Sequence, residues 1–148
     1  MQENIGTILD DGSIRYLTED DLIYINKRLI EAQTPNEPIG VINPTNLGAS
    51  ANRPSTFRYY EQTDDMFKLA AVLIESLIKN HCFANGNKRT AMQAGAIFLM
   101  LNGYELMPID RCEYAYIAEG IAKGKYDVSY LEKWLYYNSK DFDILQLC

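Results

Sequence analysis

Apolar positions recur every three to four residues along most of the chain, and that period predicts helices. The first opens at Leu17-Thr18-Glu19-Asp20-Asp21-Leu22. Thr18 can cap the backbone N–H three residues on, Asp21 completes a capping-box variant, and Leu17 and Leu22 stand where a hydrophobic staple closes. Leu22, Ile25, Leu29 and Ala32 form its apolar stripe, and Pro35 ends it. Asp64-Asp65 starts a stronger segment, MFKLAAVLIESLIKN, with a polar stripe confined to Lys68, Glu75 and Lys79. A helix apolar on nearly every side runs through a core. A second core helix is expected from about Lys88 to Leu101, closed by Asn102-Gly103 as a C-cap. Its small residues Ala91, Ala94, Gly95 and Ala96 permit close approach to the first. After Pro108 the pattern predicts helices from Asp110 to about Lys123 and from Asp127 to about Ser139, with Gly124 between them. Leu131, Trp134 and Leu135 supply the buried face of the last.

The remaining segments are less regular. Residues 5–16 carry Asp11-Gly12 between short apolar runs, the signal of a hairpin or extended arm. Residues 35–60 hold four of the five prolines, with a short helix expected from about Thr45 to Asn52. A connection of that length suggests a flap over a functional site, an inert surface loop being the alternative. The tail, 140–148, is expected to fray. Together these features predict one all-α domain over residues 1–148, compact and of about six helices.

Composition narrows the function. The chain has 148 residues, 47% hydrophobic and 23% charged, enough for a core without metal or disulfide staples. Fourteen basic residues against 20 acidic ones give a net charge of −6, which argues against nucleic-acid binding. The apolar stretches are interrupted by Lys79, Gln93 or Asn102, so none is expected to cross a membrane. Cys82, Cys112 and Cys148 form no CxxC pair, and no secretory signal is read at the start of the chain, which implies free thiols in the cytoplasm. A zinc site is not expected from one histidine and scattered cysteines. Any imidazole base near neutral pH must be that one histidine, His81.

The chemistry gathers between the two core helices, in His81-Cys82-Phe83-Ala84-Asn85-Gly86-Asn87-Lys88-Arg89-Thr90. Gly86 permits a positive φ, and the helix beginning at about Asn87 turns its unpaired N–H groups and positive dipole end toward the loop. Lys88 and Arg89 in its first turn oppose that dipole, an arrangement that makes sense where an anion lies. His81 faces that anion across the loop, so a base beside bound phosphate suggests a hydroxyl being deprotonated to attack phosphorus. Taken singly, each residue has an ordinary reading: His81 as a helix-end polar group, Lys88 and Arg89 as solvated charges, Asn85 and Asn87 as turn and cap residues. Their concentration within nine positions favours the site.

His81 to Arg89 resembles the signature of the Fic/Doc superfamily, H-x-F-x-[D/E]-[G/A]-N-x-R, and Lys88 makes it most similar to the Doc, or death-on-curing, branch. The likeness extends over roughly residues 16–137, including Asn52-Arg53-Pro54 and the stretch from Phe98 to Tyr104. It implies an all-α fold, ATP with Mg²⁺ as cosubstrate, and His81 as general base for a protein hydroxyl. Phe83 matches the loop anchor, Asn85 the metal-ligand position, Gly86 and Asn87 the anion hole, Lys88 and Arg89 the phosphate clamps. Three positions depart from the pattern. Cys82 stands where proline is common, Met92 where Fic enzymes carry a second arginine, and Asn85 where an acid is expected. The resemblance implies transfer of the γ-phosphoryl of ATP to a translation protein of the elongation factor Tu class. AMP transfer and a catalytically weak nucleotide- or partner-binding module are the alternatives. Fic proteins can carry an inhibitory [S/T]-x-x-x-E-[G/N] helix, which Ala115 to Glu119-Gly120 approaches without the hydroxyl. A separate antitoxin is therefore expected as the restraining partner.

Overall fold

The computed structural model describes residues 8–9, 14–107, 110–143 and 145. Their order is β1 (Ile8–Leu9), β2 (Arg15–Tyr16), α1 (Glu19–Gln33), α2 (Pro44–Glu61), α3 (Met66–Asn80), α4 (Asn87–Leu101), β3 (Tyr104–Leu106), α5 (Arg111–Ala122), α6 (Val128–Tyr137) and β4 (Ser139–Asp141). The all-α class holds, with six helices among the described residues and strands only as two short antiparallel pairs, β1–β2 and β3–β4.

Local signals set most helix ends. Thr18 Oγ1 accepts from Asp21 N at 3.1 Å while Asp21 Oδ2 accepts from Thr18 N at 2.8 Å, so the capping box is complete. Leu17 and Leu22 are both buried beside it. Asp65, Asp110 and Asp127 cap α3, α5 and α6 with their side chains. The paired strands at 8–9 and 15–16 agree with the hairpin expectation, although its Asp11-Gly12 turn lies outside the described residues.

α3 is the central helix, with nine buried residues, and α4 packs against it. The close approach is made at Gly95, where a Cβ would fall 2.6 Å from Ile74 Cγ1. Ile117, Ala118 and Ile121 of α5 and Leu131 and Leu135 of α6 complete the same core. No helix among the described residues is long and apolar enough to cross a membrane. Cys82 is buried and Cys112 exposed, both free thiols; Cys148 lies outside the described residues.

Three expectations need correction. The short helix from Thr45 to Asn52 is the first part of α2, which runs on to Glu61 through Pro54. Proline there forfeits the bond to the carbonyl four residues back, but Leu47, Ser50 and Pro54 are buried on one face with Phe57 half-buried beyond them. Packing overrides the local signal, and the loop shrinks to residues 34–43. The α1 stripe is turned from the expected one, since Ala32 is exposed while Asn26 and Ile30 are buried. The tail does not fray from 140: Ser139, Lys140 and Asp141 pair with Leu106, Glu105 and Tyr104. Residues 144 and 146–148 of that tail, like Pro108, lie outside the described residues.

Candidate active site

α3 ends at Asn80, and His81 follows as its C-cap in the left-handed region, φ 47° and ψ 56°. A non-glycine residue there costs roughly 1–2 kcal/mol. The turn is then stitched closed by Asn87, whose Nδ2 donates to Phe83 O at 2.9 Å and whose Oδ1 accepts from Phe83 N at 3.0 Å. Phe83 is 2% exposed, its side chain packed into the core beneath the turn. The Asn87 side chain is thereby occupied as a staple; toward an anion it offers its backbone N–H.

The connection before α2 lies along this turn. Ala84 N donates to Gly40 O and Ile42 N to Cys82 O, each at 2.9 Å, around an antiparallel Val41–Phe83 bridge. These bonds flank the bridge, so the N–H and C=O of Val41 point toward the opposite edge. Ile39 and Ile42 are exposed on this segment. The connection that lies along the turn is ten residues long rather than twenty-six.

α4 starts at Asn87 after Gly86, at φ 73°, with no side chain capping it. Its first helical bond is Thr90 N to Gly86 O, leaving the N–H groups of Asn87, Lys88 and Arg89 without partners among the described residues. The tight fit at Gly86, where a Cβ would meet Asn26 Nδ2 at 3.3 Å, adds a second reason for glycine beyond its φ. Asn26 went unnoticed in the sequence. It is 1% exposed, and its Nδ2 donates to Asn85 O at 2.8 Å and Thr90 Oγ1 at 3.0 Å, tying α1 to the turn. Its signal was a polar residue set into the apolar stripe of α1.

The two cations of the first turn reach carboxylates from distant segments. Lys88 Nζ donates to Glu119 Oε2 of α5 at 2.7 Å. Arg89 donates to Glu37 Oε1 at 2.9 Å and Thr34 Oγ1 at 3.0 Å. Hydrogen bonds from Thr34 and then Arg89 hold the Glu37 carboxyl below its ordinary range, and Lys88 does the same for Glu119. Lys88 and Arg89 are therefore held in place by short charge-assisted bonds.

His81, Gly86, Asn87, Lys88 and Arg89 line one cavity of about 840 Å³. Its far wall is apolar, with Met92 and Ala96 of α4 opposite Tyr114 and Ala118 of α5. Tyr114 is steadied edge-on by Trp134, their ring centroids 5.9 Å apart, and burial pushes its phenol up. A cavity with a cationic helix start at one end and apolar walls at the other has the size and chemistry for a nucleotide. Five of the seven expected site residues meet there. Phe83 lies beneath the turn, and Asn85 does not line the cavity, its side chain being held to Pro38.

Asn85 bears on the expected metal. Its Nδ2 donates to Pro38 O at 2.9 Å, which aspartate could not do, and one neutral amide oxygen remains. No three His, Cys, Asp or Glu side chains converge to hold a metal among the described residues. Mg²⁺ prefers carboxylate oxygens supplemented by substrate phosphates. These side chains alone do not fit a magnesium site.

Comparison with known proteins agrees with the motif. The Fic/DOC family model matches residues 16–99. The chain is similar to the protein kinase doc of Escherichia phage P1, 31% identical over 90 residues that cover 61% of this chain and 70% of the phage protein. It is also similar to the toxin Doc of Mycolicibacterium smegmatis, 38% identical over 71 residues, 45% of this chain and 55% of that one.

Proposed function

The chain belongs to the Fic/DOC family, and from that premise we propose that it is a toxin-type transferase moving the γ-phosphoryl of ATP to a protein hydroxyl. One observation carries the reading: the uncapped start of α4, with Lys88 and Arg89, opens into the same cavity as the only histidine. The N–H groups of Asn87, Lys88 and Arg89 offer a nest for phosphate oxygens. His81 takes the proton of the acceptor hydroxyl as its oxygen bonds to the γ-phosphorus. The bond to the bridging oxygen then breaks and ADP leaves. Catalysis of this kind rests on positioning and charge stabilisation, which the rigid α3–α4 turn supplies.

Met92 favours the γ- over the α-phosphorus. It brings a thioether to the cavity wall where AMP-transferring relatives resemble one another in carrying arginine, so nothing at that place clamps a second phosphate. The outward edge at Val41, flanked by exposed Ile39 and Ile42, gives an extended acceptor segment a strand to pair with beside His81. The relatives' names, a protein kinase and a toxin, support a toxin-type kinase. A cytoplasmic location, a separate antitoxin as the restraining partner and a translation protein of the elongation factor Tu class as the target are parts of the same proposal.

The test is label transfer in a cell extract with Mg²⁺ and ATP labelled at either position. Label from the γ position is expected on one protein band, and His81→Asn, which tolerates the left-handed backbone, is expected to lower its rate by about 10²–10⁴-fold. Label from the α position alone would establish AMP transfer instead. ATP binding with no transfer would favour a binding module.

A further inference from the structure

His81 sits in a backbone conformation that persists only where its surroundings over-determine it. The peptide that leads into it, and the peptide one residue beyond it, are gripped from the same short piece of chain. Ahead of it, the carbonyl of Asn80 belongs to the last turn of α3, where helix geometry supplies no partner. Asn46 Nδ2 donates to that oxygen at 2.9 Å. Behind it, the carbonyl of Cys82 accepts from Ile42 N at 2.9 Å and Asn43 N at 3.2 Å. Asn46 is itself aimed by Asn43, whose Oδ1 accepts from Asn46 N at 3.3 Å as the cap of α2.

A second layer keeps Asn80 from turning away. Its Nδ2 donates to Ser50 Oγ at 2.9 Å and to Ser76 Oγ at 3.1 Å, and the two hydroxyls lie 2.9 Å apart. Ser50 is fully buried. Asn43, Asn46 and Ser50 thus fall on one face of the start of α2, and α3 meets them with Ser76 and Asn80. An apolar contact would join two helices as well. Amides and hydroxyls fix direction, which matters beside a side chain that must point into a cavity.

We propose that Asn46 is a positioning residue for His81: its side-chain amide pins the Asn80 carbonyl and so sets the direction in which the imidazole leaves the backbone. Asn46 does not line the cavity, so it acts through His81 and not on the nucleotide. The inference rests on the reading of His81 as the base, but its geometry is measurable without any transfer reaction.

His81 is the only histidine, so the imidazole of the full chain gives one set of side-chain NMR signals. Asn46→Asp keeps the shape of the side chain and removes the donor. It is expected to shift or split the imidazole signals and to lower the γ-label transfer rate at least tenfold, with the affinity for ATP changed less than twofold. Imidazole signals that coincide with wild type in the folded variant would overturn the proposal, as would an unchanged transfer rate. If Asn46→Asp does not fold, Asn46→Ala removes the donor without adding charge, and the same two outcomes decide. Should wild type itself transfer no label, the functional reading fails, and the imidazole spectrum alone decides whether Asn46 positions His81.

Discussion

α4 and α6 both begin just after a turn that contains a glycine at positive φ, Gly86 in one case and Gly124 in the other, yet the two starts are finished in opposite ways. At α6, Asp127 Oδ1 accepts from Tyr130 N at 2.8 Å, so a carboxylate both caps an N–H and complements the helix dipole. At α4 no side chain caps, and the first turn carries two cations that oppose the dipole. The other four helix starts resemble α6: Thr18, Asn43, Asp65 and Asp110 each accept from a backbone N–H of their own helix. A start that forgoes such a cap, in a chain that caps its other helices, gives up local stability for a set of donors aimed at something else. The Asn87 staple, the Asn26 bonds and the Asn46 bond hold the turn without using those donors.

The largest test of this contrast is the cationic turn. Arg89→Ala is expected to weaken ATP binding by about 10–100-fold, the worth of a charge-assisted hydrogen bond. Lys88→Ala should weaken it less, because arginine can grip phosphate with two donors. Calorimetric titration measures both. Unchanged affinity in both variants would mean that the uncapped start of α4 is not an anion site, and the contrast with α6 would lose its meaning.

What was legible in the sequence follows the same division. Caps act over three residues, so Thr18 with Asp21, Asp65, Asp110 and Asp127 could be read directly, and so could Asn102-Gly103. The site was legible because five of its members are consecutive or nearly so, from His81 to Arg89. Its partners come from elsewhere. Asn26, Thr34, Glu37, Asn46 and Glu119 reach the turn only after α1, the 34–43 connection, α2 and α5 pack around it, and no local spacing announces them. The length of α2 was hidden for a related reason: Pro54 signals a break, while the face of Leu47, Ser50 and Pro54 that outweighs it is partly polar. The β3–β4 pair joins segments some thirty-five residues apart and has the same invisibility.

A middle-sized effect comes from the ordinary member of the comparison. Asp127→Ala removes a cap that does not line the cavity and is expected to lower stability by about 1 kcal/mol, read as a fall in Tm. ATP affinity should stay at the wild-type value. A variant that lost both stability and affinity would show that the capped starts are coupled to the site, and that stability and binding are not divided between helices as the hydrogen bonds suggest.

The smallest effect sharpens what the carboxylates do. Glu119 holds Lys88 at 2.7 Å, so a phosphate that recruits this lysine competes with Glu119. Glu119→Gln keeps an acceptor but removes the charge, and ATP affinity is expected to rise a few-fold at low salt, the scale of an exposed ion pair. The gain should vanish in a Lys88→Ala background. A gain of equal size there would mean that Glu119 repels phosphate directly and that Lys88 is no clamp. Acid titration gives the matching sign. Lys88 holds the Glu119 carboxyl below its ordinary value of 4.5, so the pair adds to stability above that pH and its contribution is lost as pH falls through the lowered value. The Tm of wild type should therefore exceed that of Glu119→Gln by a small margin near neutrality, and the margin should close in acid. A margin that widened on acidification would reverse that sign, and with it the assignment of Lys88 as the partner that holds Glu119 ionised.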